Sequence, residues 1–291
     1  MEQRIMPLDA PDLPGRLEGM ARRHETSCGQ GGMVWHEWGP PEAPPLLLLH
    51  GGAGSWRHWI RNIEALARHR RVLAPDMPGL GESAQPPAGI DLWGYVGLIE
   101  SGFAQLALES RAARYDLVGF SFGGILAGHM ASRADARLRS VTLLGAGGLG
   151  LARVPTRLAS VRNKQGEERA AAHRANLAML MIADPARIDA LALRIQAWNS
   201  DHARLRSRNL VLDGALRDVL PKIHAPLAMA YGERDAIAYP FMDQRRTLLA
   251  ALRPEAGFHV IPRAGHWVQF EAAEAVNALL LRRLEGAAPA A

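Results

Sequence analysis

Short apolar runs alternate along this chain with longer segments of helical pattern. The runs hold about four residues each, have buried-strand character, and occur at 46–49, 72–74, 116–118, 141–144, 227–231 and 258–261. Segments with the apolar spacing of helices lie between most of them, at 59–68, 92–110, 122–132, 239–252 and 271–284. Residues 22–39, interrupted by Gly-Gln-Gly-Gly at 29–32, predict an antiparallel hairpin at a sheet edge. This alternation indicates βαβ units and a mainly parallel sheet covered on both faces.

One region, residues 150–220, interrupts the alternation. It contains no convincing strand, but residues 167–182 and 188–200 have helical patterns, and Asp184-Pro185 marks a turn and a helix start. A helical insertion of this size predicts a cap, or lid, over the strand ends, where open α/β sheets bind their ligands.

Composition and charge exclude several classes of protein. The apolar fraction of 48% is too high for a disordered chain. The 34 Lys and Arg residues exceed the 29 Asp and Glu residues and give a net charge of +5. Because this excess is arginine spread along the chain and not gathered in a basic stripe, it argues against nucleic-acid binding. The single Cys28 excludes an intramolecular disulfide framework and a multi-cysteine metal site, and we expect it to be a bystander.

No segment predicts a membrane span or a secretory signal. The longest uninterrupted apolar stretch, 177–183, is far shorter than the ~20 residues that a transmembrane helix needs. Residues 1–18 carry acids and three prolines instead of a basic start and an apolar segment. We expect a cytoplasmic protein without membrane association, whose partner is a small-molecule substrate. A homodimer is left open.

The most informative string is Gly119-x-Ser121-x-Gly123, between a short apolar strand and an apolar helix. This is the context of a nucleophile elbow, in which a serine occupies a sharp strand-to-helix turn and glycines avoid collisions with neighbouring backbone. The turn presents the Ser121 hydroxyl at a helix N-terminus, where the helix dipole favours negative charge. We therefore predict that Ser121 is a nucleophile.

A serine nucleophile needs a base, and the base needs an orienting acid. In elbow folds the acid and then the base follow the serine along the chain. His266 follows the last predicted strand, and Asp235 follows the strand before it. Both would project from strand ends toward the rim that carries Ser121, which makes His266 the predicted base and Asp235 the predicted acid. Glu233 and Asp243 are left open as competitors for the acid.

A loop of small residues, His50-Gly51-Gly52-Ala53-Gly54, follows the first apolar run. Acyl transfer generates an oxyanion, and removing one donor from the hole that binds it costs roughly 2.7 to 4 kcal/mol. We assign the hole to the backbone N–H groups of Phe122 and Gly52, with Ala53 as the alternative second donor. His50 is predicted to brace the loop by hydrogen bonding. The mechanism requires no metal and no organic cofactor.

Five motifs occur in an order that resembles the α/β-hydrolase superfamily. They cover nearly the whole chain and are His50-Gly51-Gly52, residues 74–83, Gly119-x-Ser121-x-Gly123, Gly232-x-x-Asp235 and Gly265-His266. The resemblance implies an α/β fold with a mostly parallel, eight-stranded sheet flanked by helices. It also implies a helical cap after the sixth strand, where residues 150–220 fall. One core, residues 1–149 and 221–291, would then be interrupted by the cap.

The residues at the predicted site reduce the number of enzyme classes within the superfamily that the chain resembles. A serine at the elbow argues against haloalkane dehalogenases and epoxide hydrolases, which use aspartate there. The Gly52 loop, residues 61–66 and residues 265–269 are similar to meta-cleavage-product hydrolases, which cleave carbon–carbon bonds and in which a cap arginine helps to hold the substrate carboxylate. Arg194 is the nearest candidate for that arginine, but Phe120 stands where those enzymes usually carry Asn. An esterase, a carbon–carbon hydrolase and a non-catalytic ligand-binding homologue are all left open.

Candidate pocket residues flank the predicted machinery or lie in the predicted cap. They are Ala53, Trp56, His58, Phe120, Arg194, Trp198 and Trp267. The aromatic members are as compatible with packing as with substrate contact. His129 is predicted to pack within its helix, and the stripe Leu177, Leu180 and Met181 to pack within the cap.

Overall fold

The strands of the described chain join one sheet. The computed structural model describes residues 12–107 and 114–286. The strands are β1 Arg22–Cys28, β2 Gly31–Trp38, β3 Pro45–Leu49, β4 Arg71–Pro75, β5 Tyr115–Phe120, β6 Leu138–Leu144, β7 Leu227–Gly232 and β8 Gly257–Ile261. Their order across the eight-stranded sheet is β1-β2-β4-β3-β5-β6-β7-β8. The pairs β1–β2 and β2–β4 are antiparallel and the other pairs are parallel, which confirms the predicted sheet and its edge hairpin.

Helices flank this sheet. They are α1 Leu13–Met20, α2 Ile63–Ala67, α3 Leu92–Ala107, α4 Phe122–Arg133, α5 Gly166–Asn176, α6 Ala190–Asp201, α7 Met242–Leu252, α8 Val268–Glu271 and α9 Ala273–Gly286. Single 3-10 turns occur at Trp56–Trp59, Pro185–Arg187, Ser207–Asn209 and Leu220–Lys222, and a π turn at Leu177–Met181. The predicted helix at 92–110 corresponds to α3, and its residues 108–110 lie outside the described residues. No helix in the described ranges is both long and apolar enough to cross a membrane.

The central strand β3 shows how the sheet is buried on both faces. Its leucines are fully buried, and alternate side chains of a strand point to opposite faces. Leu47 and Leu49 join a cluster with side chains of α3 and α4. Leu46 and Leu48 join a second cluster with side chains of α2 and α9. A run of consecutive leucines therefore serves two hydrophobic layers, as expected for a strand inside a parallel sheet.

The predicted helix at 59–68 is wrong in its extent, since the chain forms two separate turns there. The Ser55 side chain accepts the N–H of Arg57 at 3.3 Å, which starts the 3-10 turn before the predicted helix. The Asn62 side chain donates to the carbonyl of Gln269 at 3.1 Å, and α2 begins only afterwards. Residues 60–62 form the turn that separates the two.

The predicted helix at 239–252 begins instead at Met242. The carbonyl of Asp235 accepts the N–H groups of Ala238 at 2.9 Å and Tyr239 at 2.7 Å, which holds the preceding residues in a turn. The helix predicted at 271–284 corresponds to α9, which begins two residues later and is preceded by the short helix α8.

Residues 150–220 form helices and turns without a strand. The first helix predicted here, 167–182, corresponds to α5 followed directly by the π turn Leu177–Met181. The second predicted helix is α6, and its cap is Asp189, whose side chain accepts the N–H of Ala192 at 2.7 Å. Asp184 caps the 3-10 turn before α6 instead, through the N–H of Ala186 at 3.0 Å. The predicted helix start at Asp184 therefore belongs to a separate short turn.

This insertion leaves and rejoins the core at neighbouring points. The N–H groups of Leu216 and Arg217 both donate to the carbonyl of Gly148, at 2.8 and 3.1 Å. Beside them, the N–H of Gly145 donates to the carbonyl of Ala230 at 2.8 Å, across the adjacent strands β6 and β7. Backbone hydrogen bonds thus close the base of the insertion at the carboxyl ends of the strands.

Candidate active site

Ser121 lies in the turn between β5 and α4 with a backbone conformation that side-chain-bearing residues rarely adopt. Its φ is 53° and its ψ is −113°. A Cβ at Gly119 would lie 2.2 Å from the carbonyl oxygen of Gly123, and a Cβ at Gly123 would lie 2.4 Å from the carbonyl oxygens of Leu49 and His50. The close packing of the turn therefore requires both glycines of the motif. Backbone strain of this kind clusters at functional sites.

Three side chains from distant parts of the chain form one line of hydrogen bonds. Ser121 Oγ lies 2.9 Å from His266 Nε2, and His266 Nδ1 lies 3.0 Å from each carboxylate oxygen of Asp235. When Nδ1 donates to the carboxylate, Nε2 is left to accept the serine hydroxyl, which is the arrangement that a general base needs. His266 and Asp235 are buried, and Ser121 is half-buried. The structure brings together the three residues predicted from the sequence.

The other two candidates for the acid lie elsewhere. The carboxylate of Glu233 accepts the N–H of Arg263 at 2.8 Å, and Asp243 is exposed in the first turn of α7. Asp235 is held by the N–H of Ile237, which donates to Oδ1 at 2.8 Å. Asp235 is therefore the carboxylate of these three that faces the histidine.

The loop of small residues after β3 runs beside the nucleophile. A Cβ at Gly51 would lie 3.3 Å from Ser121 Cβ, and a Cβ at Gly52 would lie 3.7 Å from Phe122 Cβ. Ala53 has a φ of 47° at the turn of this loop. Phe122 is the first residue of α4, where a backbone N–H has no acceptor within the helix. The two predicted oxyanion donors, Gly52 and Phe122, thus belong to backbone segments that lie side by side.

Two buried histidines hold this loop. His50 Nδ1 donates to the carbonyl of Gly51 at 2.8 Å, and its Nε2 accepts the N–H of Met77 at 2.9 Å. His58 Nδ1 accepts the N–H of Gly51 at 3.1 Å. Burial lowers the pKa of His50 to about 4 and the pKa of His58 well below its ordinary value, so both rings are neutral at pH 7. His50 is placed to brace the loop as predicted, and His58, a predicted pocket residue, fastens the same loop.

A cavity of about 460 Å³ adjoins the nucleophile turn. Its apolar lining includes Phe122, Ile125 and Ile237 from the core and Leu149, Leu151, Val211 and Leu212 from the connecting and inserted chain. Its polar lining includes Arg153, Ser207, Arg208, Asp213 and Arg245. Sequence reasoning missed the exposed Arg153 and Arg208, because they lie in irregular chain and a short turn where no periodic pattern marks a side chain's direction.

Two tryptophans predicted as pocket candidates pack away from this cavity. The ring of Trp56 is fully buried and lies 5.2 Å from the ring of Trp38. The ring of Trp198 stacks on His202 at 3.9 Å. Neither side chain lines the cavity beside Phe122.

The remaining pocket candidates divide between the site and the surface. The Phe120 ring lies 5.0 Å from the ring of His266, and the indole N–H of Trp267 donates to the carbonyl of His58 at 2.9 Å. Arg194, by contrast, is exposed on α6 and is not part of the cavity lining. The arginines beside this cavity are therefore different from the one that the sequence suggested.

Several residues predicted to have packing roles are buried as expected. His129 Nδ1 donates to the carbonyl of Ile125 one turn earlier in α4, at 2.8 Å. Leu177 and Met181 of the π turn are buried in the second hydrophobic cluster. Cys28 is also buried. His129, Leu177 and Met181 are thus placed for the packing that the sequence predicts, and the bystander role of Cys28 stays a prediction.

One group of possible metal ligands lies within the described residues. Glu18, His36 and Glu82 place their ligand atoms within 4.8 Å of one another. The guanidinium of Arg57, however, lies 3.1 Å from the Glu18 carboxylate. Burial, followed by the charges of Arg57 and Arg23, lowers the pKa of His36 to about 3. Since the same positive charges oppose a bound cation, we assign no metal to this group.

Two known proteins are similar in sequence to most of this chain. The chain is 35% identical over 263 residues to the dihydrolipoyllysine-residue acetyltransferase component of the acetoin cleaving system of Pseudomonas putida. This alignment covers 85% of the chain and 65% of that protein. The chain is also 28% identical over 276 residues to the 2-hydroxy-6-oxo-6-phenylhexa-2,4-dienoate hydrolase of Burkholderia cepacia. That alignment covers 89% of the chain and 90% of the enzyme. The chain thus spans just under two thirds of the length of the Pseudomonas protein.

Solved structures and a family model agree with this placement. The crystal structure of a carboxylesterase from Bacillus subtilis superposes with a TM-score of 0.76 at 20% identity, covering 94% of this chain and 96% of the other. The model of the alpha/beta hydrolase family matches residues 46–279. Because that match spans most of the sequence, from β3 into α9, the chain belongs to the alpha/beta hydrolase family.

Proposed function

We propose that this chain is a serine hydrolase that cleaves small, largely apolar carboxylic esters through an acyl-enzyme. The observation that carries the proposal is the line of hydrogen bonds from Ser121 Oγ to His266 Nε2, at 2.9 Å, and from His266 Nδ1 to Asp235, at 3.0 Å. A hydroxyl, a base and an orienting acid in this order are the minimum set for nucleophilic attack by serine. The strained turn at Ser121 supports the same role.

In the first half of the reaction, His266 Nε2 takes the hydroxyl proton as Ser121 Oγ attacks the ester carbonyl carbon. Asp235 stabilises the imidazolium that forms. The oxygen of the tetrahedral intermediate accepts hydrogen bonds from the N–H groups of Phe122 and Gly52, and Ala53 is the alternative to Gly52. The imidazolium then protonates the departing alcohol, which leaves the acyl group on Ser121.

In the second half, water replaces the alcohol. His266 Nε2 removes a proton from the water as its oxygen attacks the acyl carbon, and the same pair of N–H groups binds the new oxyanion. Ser121 leaves with the proton from His266, and the carboxylic acid is released. Each step uses side chains and backbone donors of this chain alone.

The apolar part of the cavity beside Phe122 supports a substrate that carries an apolar group. Phe122 and Ile125 of the core contribute to this apolar lining, and so do Val211 and Leu212 of the insertion. We therefore treat residues 150–220 as a cap that completes the substrate pocket above residues 1–149 and 221–291. Apolar walls of this kind bind acyl or alkoxy groups by removing their surface from water.

A second candidate function is hydrolysis of a carbon–carbon bond in a ring-fission product. The likeness to the Burkholderia dienoate hydrolase over nearly its full length favours it. Arg153 and Arg208 beside the cavity offer cationic partners for a carboxylate on such a substrate. Purified protein should be assayed on p-nitrophenyl acetate and on a dienol ring-fission product, and the larger kcat/KM distinguishes the two functions.

The serine mechanism is tested by removing one oxygen atom. Ser121→Ala should abolish ester turnover and leave the urea unfolding midpoint close to that of the wild type. A fluorophosphonate should modify the wild-type protein at Ser121, as read by mass spectrometry of the modified peptide. Ser132→Ala is the matched control, because Ser132 lies on α4 and donates to the carbonyl of His129 at 2.8 Å. Near wild-type activity in Ser121→Ala would refute the serine mechanism, and absence of labelling would favour a ligand-binding homologue.

A further inference from the structure

The carboxylate of Glu271 connects three backbone N–H groups from two distant parts of the chain. Its Oε1 accepts the N–H of Asp184 at 2.9 Å, and its Oε2 accepts the N–H groups of Ala183 at 2.9 Å and Gly265 at 2.7 Å. The residue is only 4% exposed. Ala183 and Asp184 belong to the insertion, and Gly265 directly precedes His266. One buried carboxylate thus attaches the insertion to the loop that carries the proposed base.

A second contact lies on the other side of His266. The N–H of Trp267 donates to the carbonyl of Met181 at 2.7 Å. The two backbones are so close that a Cβ at Gly265 would lie 2.7 Å from the nitrogen of Ala183 and 2.9 Å from the oxygen of Met181. Both neighbours of His266 are therefore fastened to residues 181–184 of the insertion.

We infer that Glu271 is a positioning residue through which the insertion sets the orientation of the His266 ring. With the carboxylate in place, residues 181–184 and 265–267 form one hydrogen-bonded unit. The imidazole must reach Asp235 and Ser121 at once, so a small rotation of its backbone breaks at least one of the two bonds. The inference rests on the proposed function, in which His266 is the general base.

Both the charge of the Glu271 carboxylate and its two acceptor oxygens contribute to these three hydrogen bonds. Two ionised oxygens accept three N–H donors, and hydrogen bonds to an ionised acceptor are shorter and stronger than those between neutral groups. In Glu271→Gln one oxygen is replaced by an NH2 group, which cannot accept an N–H. At least one of the three bonds is lost, and an unpaired donor is left in a buried place.

The test compares Glu271→Gln with Glu233→Gln. Glu233 also accepts a backbone N–H of the loop before His266, from Arg263, but it is exposed, and its hydrogen bond joins the segment after β7 to that loop without involving the insertion. With p-nitrophenyl acetate, Glu271→Gln should lower kcat at least tenfold and change KM less than threefold, because the base is displaced. The rate of fluorophosphonate labelling at Ser121 should fall by a similar factor. Glu233→Gln should match the wild type in all three quantities.

Different outcomes separate this inference from the proposed function. A wild-type protein that neither turns over esters nor labels at Ser121 would overturn the proposed function. An active wild type together with unchanged kcat and labelling in Glu271→Gln would overturn the positioning role. A rise in KM alone would also overturn it, since that result assigns Glu271 to the pocket and not to the base.

If Glu271→Gln does not fold, the positioning role of Glu271 can be tested by a measurement on the wild-type protein. Amide hydrogen exchange, read residue by residue by NMR, should show Ala183, Asp184 and Gly265 protected with one common rate. Rapid exchange at Ala183 and Asp184 with slow exchange at Gly265 would show that the insertion and the loop move separately, and would overturn the inference.

Discussion

Two glycines in helices, Gly97 and Gly123, should respond to replacement by alanine with opposite signs. Gly97 lies inside α3, and a Cβ added there meets no atom within 4 Å outside its own helix and immediate neighbours. Gly97→Ala should therefore stabilise the fold by about 0.5 to 1 kcal/mol, because alanine loses less backbone entropy in a helix than glycine does.

At Gly123 the same methyl group meets two fixed obstacles. It would lie 2.4 Å from the carbonyl oxygens of Leu49 and His50, where non-bonded contact needs roughly 3.5 Å. The start of α4 must therefore retreat by about 1 Å from the end of β3. Overpacking a core costs 1 to 3 kcal/mol and occasionally more, and backbone carbonyls yield less than side chains, so we expect a loss of about 3 kcal/mol.

The displacement of α4 in Gly123→Ala should also affect catalysis. Ser121 and Phe122 move with the start of α4, whereas Gly52 stays with the loop after β3, so the two proposed oxyanion donors separate. The free energies of unfolding of the two variants should differ by about 4 kcal/mol in urea titrations with equal m values. Gly97→Ala should keep the wild-type kcat/KM, and Gly123→Ala should lose most of it. A Gly123→Ala protein as stable and active as the wild type would refute the described approach of α4 to β3.

Two further predictions follow from the site and its supporting loop. Asp235→Asn should lower kcat by about 10⁴-fold, because the amide presents an N–H to His266 Nδ1 and favours the wrong tautomer; Glu233→Gln is the control, and equal losses in the two variants would contradict the assignment. The pKa of His50 is lowered by burial to about 4, below its ordinary 6.5, so the stability it contributes is present above pH 6.5 and is lost as the pH falls toward 4. That loss should reach about 3 kcal/mol. Urea unfolding of the wild type and His50→Asn at pH 7.5 and 4.5 measures it, and identical pH dependence in the two proteins would exclude His50 as its source.

The strands were more predictable than the helix ends for a physical reason. A strand such as β3 is buried on both faces, so its apolar run is visible in the sequence whatever its neighbours do. Helix ends depend on single hydrogen bonds, such as those made by the side chains of Ser55 and Asp189. Apolar spacing does not contain that information, so it does not show that the helix predicted at 59–68 begins only at Ile63.

The candidate site shows the same distinction between local and tertiary information. The residues around Ser121, Asp235 and His266 follow strand ends, so their motif order predicts a common rim. Their catalytic roles stay predictions. Glu271 could not be found in this way, since its partner Ala183 is separated from it by 88 residues and the contact exists only after folding. The exposure of Arg194 on α6 is likewise decided by how the insertion packs.

The hydrogen bonds from Leu216 and Arg217 to Gly148 hold the two ends of the insertion together, so that it forms a separate unit of the chain. Its entrance and exit lie together beside two adjacent strands, so chain of another length or sequence can be exchanged between these points without altering the sheet. Residues of the insertion can then diverge, or be recombined in the laboratory, while the turn at Ser121 and the loop at His266 are inherited unchanged. An exchanged segment would have to supply backbone N–H groups in place of those of Ala183 and Asp184. A chimaera that keeps Glu271 should therefore be built so that these hydrogen bonds are retained.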